Sequence, residues 1–262
     1  REIAALHEIF DVRDIKTDVR ITATILCPGN NEVTAQSLTD HMDTLVENIV
    51  AFVKEYGLDG VDFDWEYPDQ NAQWRVYSQF IKKLNQAFDR EFGDSVTIGV
   101  ALASWGVGFS RSAMRAIDEV HVMAYDLFDD DGCHSTFMTG AYNPMRYFNG
   151  LQYPREQFNL GVPYYGRPVD GGAYWPSWSQ VANEPDAYWS NAFPGNYTDE
   201  NGNPVVIDDY YNCPSMVADK TAFALQMGLG GVMIFPLNAD RPHGNPLCLT
   251  DAIRRTIEER VE

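Results

Sequence analysis

The chain has 262 residues, 45% of them hydrophobic, and a formal net charge of −19, which fits one domain of barrel or doubly wound size with an ample core. A phosphate backbone would be repelled by this charge, so the composition disfavours nucleic acid and favours an uncharged ligand. No stretch approaches the ~20 apolar residues that cross a bilayer, so we predict no membrane association.

Apolar segments bounded by turn residues predict strands, and apolar residues at helical spacing predict helices between them. The predicted strands are 19–26, 60–66, 96–103, 119–125, 158–163 and 231–236. The predicted helices are 2–10, 38–56, 74–92, 112–117, 144–148, 215–227 and 249–261. The second of them would begin at a capping box, 37–40. Strict alternation predicts a parallel α/β sheet in a single domain, 1–262, with a loop-rich insertion around 168–212.

Segment 59–66, Asp-Gly-Val-Asp-Phe-Asp-Trp-Glu, is the most informative stretch. Successive side chains of a strand point to opposite sides. The carboxylates of Asp62, Asp64 and Glu66 would therefore share one face of a strand, and the apolar residues between them would share the other.

Two other interpretations compete with catalysis at this acidic face. A surface strand would leave it in water, and Asp-x-Asp-x-Glu could also hold magnesium or calcium. Helices predicted on both sides indicate a covered parallel strand instead, and no histidine cluster accompanies the acids, so we predict no metal and no cofactor. Enclosed carboxylates repel one another, so at least one should keep its proton near neutral pH and could act as a general acid.

Several predicted strands end in, or are followed by, chemically useful residues, at the edge where the carboxyl ends of parallel strands meet. They are Asp64 and Glu66, Tyr125 and Asp126, and Tyr165 and Arg167. An open doubly wound sheet would collect them at the same edge, but no glycine-rich phosphate loop follows an early strand. We therefore predict a TIM-type (β/α)8 barrel.

At this point the chain resembles the family 18 glycoside hydrolases, the chitinases and their relatives. The segment 59–68 resembles their active-site signature at the end of the fourth barrel strand. Three further segments resemble the motifs of strands six, seven and eight. They are Met-Ala-Tyr-Asp at 123–126, Gly-Val-Pro-Tyr-Tyr-Gly-Arg at 161–167 and Leu-Gly-Gly-Val-Met-Ile at 229–234.

The resemblance implies a retaining mechanism in which the substrate's own N-acetyl oxygen attacks the anomeric carbon. It assigns Glu66 as the acid and base, Asp64 as the group that orients the acetamido group, and Asp62 as the partner of Asp64. Tyr125 is implied as the donor to the acetamido carbonyl. The sugar sites are implied to include Tyr67, Met123, Asp126, Tyr165, Arg167 and Phe235.

Four departures from the family accompany the resemblance. Phe235 stands where a tryptophan usually ends the eighth strand, and Cys-Pro-Gly-Asn-Asn at 27–31 replaces the third-strand motif Ser-x-Gly-Gly. The stretch between Arg167 and the last strand is short for a full insertion domain, which implies a shallow groove. The first predicted strand aligns with the family's third, so two strand-helix units are missing and six strands remain. The chain could be a fragment of a longer protein, or helix 2–10 with nearby loops, a second copy or a partner could cover the open edge.

The leading hypothesis is hydrolysis of β-1,4-linked N-acetylglucosamine polymers, chitin or chito-oligosaccharides, by a secreted protein. An endo-β-N-acetylglucosaminidase acting on N-glycan cores would use the same acidic segment. A chitin-binding lectin without activity is the alternative from another class, although such lectins usually replace the acid that Glu66 retains.

Overall fold

The computed structural model describes residues 19–27, 30–181, 185–199 and 201–261. The predicted helix 2–10 lies outside these residues. The prediction that the first two strand-helix units are missing stays a prediction. Within the described residues, no helix is both long and apolar enough to cross a membrane.

Nine strands of the described residues form two sheets. The strands are β1 (Thr22–Leu26), β2 (Gly60–Asp64), β3 (Thr97–Leu102), β4 (Glu119–Val122), β5 (Phe158–Pro163), β6 (Arg167–Pro168), β7 (Ala192–Thr198), β8 (Pro204–Tyr210) and β9 (Gly231–Phe235). Six of them make a parallel sheet in the order β1-β2-β3-β4-β5-β9, and the other three make an antiparallel sheet in the order β6-β8-β7. The parallel α/β sheet and its six strands are confirmed.

In the part of the chain that the structure describes, seven α-helices connect or follow these strands. They are α1 (Asn31–Asp40), α2 (Met42–Tyr56), α3 (Asn71–Phe92), α4 (Arg111–Met114), α5 (Asn143–Leu151), α6 (Pro214–Met227) and α7 (Leu249–Val261). Short 3₁₀ turns lie at Gly93–Ser95, Arg155–Gln157, Trp178–Gln180, Pro185–Tyr188 and Leu237–Ala239, and a π-helical turn at Met138–Tyr142 leads into α5.

The described chain divides into two compact units. The first holds the described residues up to Leu102 together with Gly106–Val120. In it, β2 pairs in parallel with β1 and with β3. Helix α3 buries an apolar stripe whose centre is Leu84, 0% exposed, and the ring of Phe80 meets that of Phe63 on β2 edge to face at 5.3 Å. Burial of this stripe holds the helix against the strand that carries the acidic segment.

The second unit holds Ala103–Trp105 and the described residues from His121 onward. Its strands β5 and β9 pair in parallel, and its core gathers around the fully buried indole of Trp178, which donates to the carbonyl oxygen of Leu247 at 2.7 Å. Gly161 on β5 is required by space, because a Cβ there would lie 2.2 Å from the carbonyl oxygen of Val122. The strand therefore approaches its neighbour at a distance that only glycine permits.

Several predicted boundaries are wrong for identifiable reasons. Predicted helix 38–56 is two helices, α1 and α2, separated at His41. The capping box predicted at 37–40 lies inside α1, whose true cap is Asn30: its side chain accepts from the amides of Glu32 and Val33. In the insertion, predicted to be rich in loops, β7 and β8 form a seven-residue antiparallel pair that alternation alone did not reveal.

The core stripe of α3 gives the first prediction. Leu84→Ala should lower the free energy of unfolding by about 2–5 kcal/mol, because the truncated side chain leaves a cavity in a closed core. Urea unfolding measures the change. Gln86→Ala, on the exposed face of the same helix, is the control and should change stability by less than about 0.5 kcal/mol. Equal losses in the two variants would contradict the packing described for α3.

Candidate active site

The first unit carries the acidic segment on β2. Asp62 is 8% exposed and Asp64 is half-buried, while Val61 and Phe63, which point to the other side, are 0% and 3% exposed. The in-register neighbours of Asp62 are Thr24 on β1 and Gly99 on β3, neither of which brings a positive charge. The acidic face is therefore enclosed, and the interpretation as a water-facing strand is wrong.

Glu66 lies outside the strand, contrary to the prediction of a strand over 60–66. Pairing with β1 extends only as far as the bond from the Cys27 amide to the carbonyl oxygen of Asp64, at 3.0 Å, and β2 ends there. The Glu66 side chain is exposed, and the peptide bond that joins it to Tyr67 is cis. Two carboxylates are thus fixed by the sheet, and the third stands just beyond its end.

The electrostatics of this segment centre on Asp64. Burial, followed by the negative charges of Glu66 and Asp62, raises the pKa of Asp64 from 3.8 to about 6. Its Oδ1 is buried and has no hydrogen-bond partner among the described residues. Burial and like charge therefore make Asp64 a carboxyl group that can hold its proton close to neutral pH.

The described residues contain no group of three or more histidine, cysteine, aspartate or glutamate side chains arranged to hold a metal ion. What the acidic segment offers chemically is proton transfer and the stabilisation of positive charge by enclosed carboxylates.

In the second unit, Asp126 follows β4 and binds two of the predicted sugar-site residues. Its Oδ1 accepts from the hydroxyl of Tyr165 at 3.0 Å and from Nε of Arg167 at 2.8 Å. Burial alone would raise the pKa of Asp126, but the hydrogen bond from Arg167 and the positive charge of its guanidinium outweigh burial and hold the pKa well below its usual range. Asp126 is therefore a permanent anion that fixes a guanidinium and a hydroxyl.

Aromatic rings surround this cluster. Phe235, 38% exposed, stacks on Tyr125 with centroids 5.6 Å apart and an angle of 17° between the planes. Trp175 stacks on Tyr165 at 4.4 Å, and the guanidinium of Arg167 lies 4.4 Å from the Trp175 ring. The hydroxyl of Tyr125 lies 4.0 Å from the sulfur of Met233. These flat apolar faces beside a charged hydrogen-bonding group suit a carbohydrate ring.

Met123, the remaining predicted sugar-site residue of this unit, is buried, with 7% of its surface exposed. The second unit therefore brings together Tyr125, Asp126, Tyr165, Arg167 and Phe235, and the first unit brings together Asp62, Asp64, Glu66 and Tyr67.

The residues that support Asp126 were not predicted from the sequence. Its backbone lies in the left-handed region, φ 54°, and its amide donates to Nε2 of His134 at 2.9 Å. Burial lowers the pKa of His134, so the ring is neutral and Nε2 can accept. Asn212 and Lys220 donate to the carbonyl oxygen of Ser135 at 3.1 and 2.7 Å. These residues are far apart in sequence and share no motif, so no local signal identifies them.

Lys220 is the most unusual member of this support. It is fully buried, burial lowers its pKa to about 7, and no carboxylate of the described residues lies within ion-pair distance. The Nζ of Lys220 donates to the carbonyl oxygen of Ser135. Gly140 leaves the space for this ammonium group, since a Cβ there would lie 2.5 Å from Nζ. A buried lysine bound to backbone in this way orders the loop that carries Ser135.

Comparison with known proteins shows the family of this chain. The family model "Glycosyl hydrolases family 18" matches residues 9–240. The chain belongs to the glycosyl hydrolases of family 18. It is 24% identical over 245 residues to a probable endochitinase of Caenorhabditis elegans, a match that covers 74% of this chain and 39% of that protein.

Solved structures confirm the barrel-type fold of this family 18 chain. It superposes on a chitinase from Bacteroides thetaiotaomicron with a TM-score of 0.77 and 21% identity, covering 99% of this chain and 82% of that one. It is also similar to a class V chitinase from Nicotiana tobaccum, solved in complex with NAG4, with a TM-score of 0.73 and 14% identity, covering 94% of this chain and 82% of that one.

The raised pKa of Asp64 predicts a pH-dependent stability. Ionising this carboxyl costs more in the folded chain than in the unfolded one. The cost is absent below pH 3.8, grows between pH 3.8 and about 6, and is complete above that. Asp64→Asn removes it, so the rise in melting temperature over the parent should be larger at pH 8 than at pH 4. Asp130→Asn, at an exposed acid, controls for the loss of one negative charge. A gain at position 64 that is no larger at pH 8 than at pH 4 would contradict the shift.

Proposed function

We propose that this protein hydrolyses β-1,4-linked N-acetylglucosamine polymers, chitin or chito-oligosaccharides, with retention of configuration and with Glu66 as the acid and base. Membership of family 18 and the chitinases among its relatives support this substrate class. The proposal also places the protein outside the cell, where an insoluble polysaccharide is accessible.

The observation that carries the proposal is the arrangement of the acidic segment. Glu66 is exposed directly after a strand on which Asp62 and Asp64 are enclosed, and the pKa of Asp64 is raised to about 6. An exposed acid can reach a glycosidic oxygen, and an enclosed carboxylate beside it can stabilise positive charge that develops on the sugar.

In the proposed reaction, Glu66 donates its proton to the glycosidic oxygen as the bond from that oxygen to the anomeric carbon breaks. The acetamido oxygen of the same sugar forms the new bond to the anomeric carbon and gives an oxazolinium ion. Asp64 orients the acetamido group and stabilises this cation, and Asp62 shares the charge of Asp64. Water then attacks the anomeric carbon as the bond from that carbon to the acetamido oxygen breaks, and the water gives its proton to Glu66, which restores the acid.

Residues of the second unit are proposed as the sugar-binding groups. Tyr125 donates to the acetamido carbonyl oxygen, and the Asp126, Tyr165 and Arg167 cluster offers charged hydrogen bonds to sugar hydroxyls. Phe235 offers an exposed aromatic face. Met123 and Tyr67 are assigned to the sugar sites by family resemblance.

Glu66→Gln tests the assignment of the acid. The amide keeps the shape of the side chain but cannot donate the proton, so turnover of chitohexaose should fall at least about 100-fold while binding is retained. Mass spectrometry of the products and calorimetric titration of the sugar measure the two properties. Glu47→Gln, an exposed helical acid, is the control and should cleave like the parent.

Each result of that experiment has a distinct meaning. Cleavage by both the parent and Glu66→Gln would overturn the role of Glu66. Binding without cleavage by the parent would favour a lectin. Cleavage of an N-glycan core, with chitohexaose left intact, would favour an endo-β-N-acetylglucosaminidase.

Phe235→Trp tests the proposed aromatic floor. A larger ring stacked on Tyr125 should cover more of a bound sugar and tighten chitohexaose binding about 3- to 10-fold, the range that an aromatic contact contributes. Titration in the Glu66→Gln background prevents turnover during the measurement. Phe92→Trp, at the end of α3, controls for the added indole. An affinity unchanged by Phe235→Trp would remove Phe235 from the binding surface.

A further inference from the structure

The side chain of Asn31 spans the two residues that flank Glu66. Asn31 is the first residue of α1, and its Nδ2 donates to the carbonyl oxygen of Tyr67 at 2.8 Å. Its Oδ1 accepts from Nε1 of Trp65 at 2.7 Å. One amide group therefore binds the chain immediately before and immediately after the exposed acid.

The amide of Asn31 satisfies both bonds because it carries a donor and an acceptor. An indole N–H can only donate and a backbone carbonyl can only accept, so the side chain between them must offer one acceptor and one donor. Aspartate keeps the acceptor and loses the donor, and an aliphatic residue offers neither. The two bonds also fix which end of the amide is oxygen.

Both ends of this connection are held in place independently. Asn30, the residue before, caps α1 by accepting from the amides of Glu32 and Val33. The Trp65 ring is 3% exposed and packs against Tyr77 with centroids 5.3 Å apart. Asn31 therefore joins a capped helix to a buried indole, and neither partner is a mobile surface group.

The position of Glu66 depends on the support of its two neighbours, because its own side chain is exposed. It lies beyond the last residue of β2, and its carboxylate makes no hydrogen bond to the described residues. The backbone on either side of it has left the sheet ladder, which ends at the carbonyl oxygen of Asp64.

We infer that Asn31 is a positioning residue for the acid, one that orients the carboxyl of Glu66 by fixing the indole of Trp65 and the backbone carbonyl of Tyr67. The inference rests on the proposed function. It also gives a role to the segment 27–31, where this chain lacks the usual third-strand motif of its family. A misplacement of about 1 Å can cost a factor of about 100 in rate.

Turnover of chitohexaose by two variants tests the inference. Asn31→Asp removes the donor with almost no change in shape, and Trp65→Phe removes the indole donor while keeping an aromatic ring. Each should lower kcat roughly 10- to 100-fold and leave KM within about twofold, because the acid moves while the sugar-binding groups of the second unit do not. Rates are compared at each variant's own pH optimum, so that a shifted pKa of Glu66 is not taken for a shifted position.

Asn71→Asp is the matched control. Asn71 is the first residue of α3, is exposed, and receives the same substitution at the same position of a helix in the same unit. It should retain the kcat of the parent, and thermal unfolding should show that every variant is folded. If Asn31→Asp fails to fold, Trp65→Phe carries the test.

The outcomes separate this inference from the function on which it rests. A loss of kcat in Asn31→Asp and Trp65→Phe but not in Asn71→Asp supports it. Retained kcat in a folded Asn31→Asp, with cleavage by the parent and none by Glu66→Gln, overturns the inference alone. A loss expressed mainly in KM also overturns it, because the role would then be in binding. Failure of the folded parent to cleave overturns both.

Discussion

The structure of the site depends on the repulsion among three carboxylates within five residues. The sheet encloses Asp62 and Asp64, and this burial, together with the charges of its neighbours, raises the pKa of Asp64 to about 6. Folding must hold the acids in place at some cost in stability, and the apolar stripe of α3 packed on the other face of β2 supplies the opposing energy. Strain of this kind is expected where charge is arranged for chemistry.

The two units hold their proposed functional side chains in place in different ways. In the first unit, the proposed acid, Glu66, must be free to reach a substrate, and it lies outside the sheet. Asn31 of helix α1 hydrogen-bonds to the residues on both sides of it. In the second unit, Arg167 and Tyr165 hydrogen-bond to the Asp126 carboxylate and favour its anion, while the buried His134 accepts from the backbone amide of Asp126. Both devices fix the backbone close to a functional side chain, as reactive geometry requires.

The strands of the parallel sheet could be predicted because each is an apolar run that ends at turn residues. Strand 158–163 and helix 249–261 have their predicted bounds. Segment 59–66 and the three further motifs led to the family, since those residues are contiguous. The exit of Glu66 from the strand was not predictable, because its alternation continues after the pairing with β1 has stopped. Nor were His134, Asn212 and Lys220, whose roles depend on contacts between residues as many as 85 positions apart. The hairpin β7–β8 was missed because its glycine and proline residues indicated loops.

The central claim is that the sugar's own acetamido group, and no water molecule, makes the first attack on the anomeric carbon. Proton NMR of chitohexaose during the first minutes of hydrolysis tests it directly, since the configuration of the new reducing end is visible before it equilibrates. Two displacements at the same carbon predict that the β-anomer appears first and then converts to the equilibrium mixture. Initial release of the α-anomer would show a single displacement by water and would contradict the mechanism.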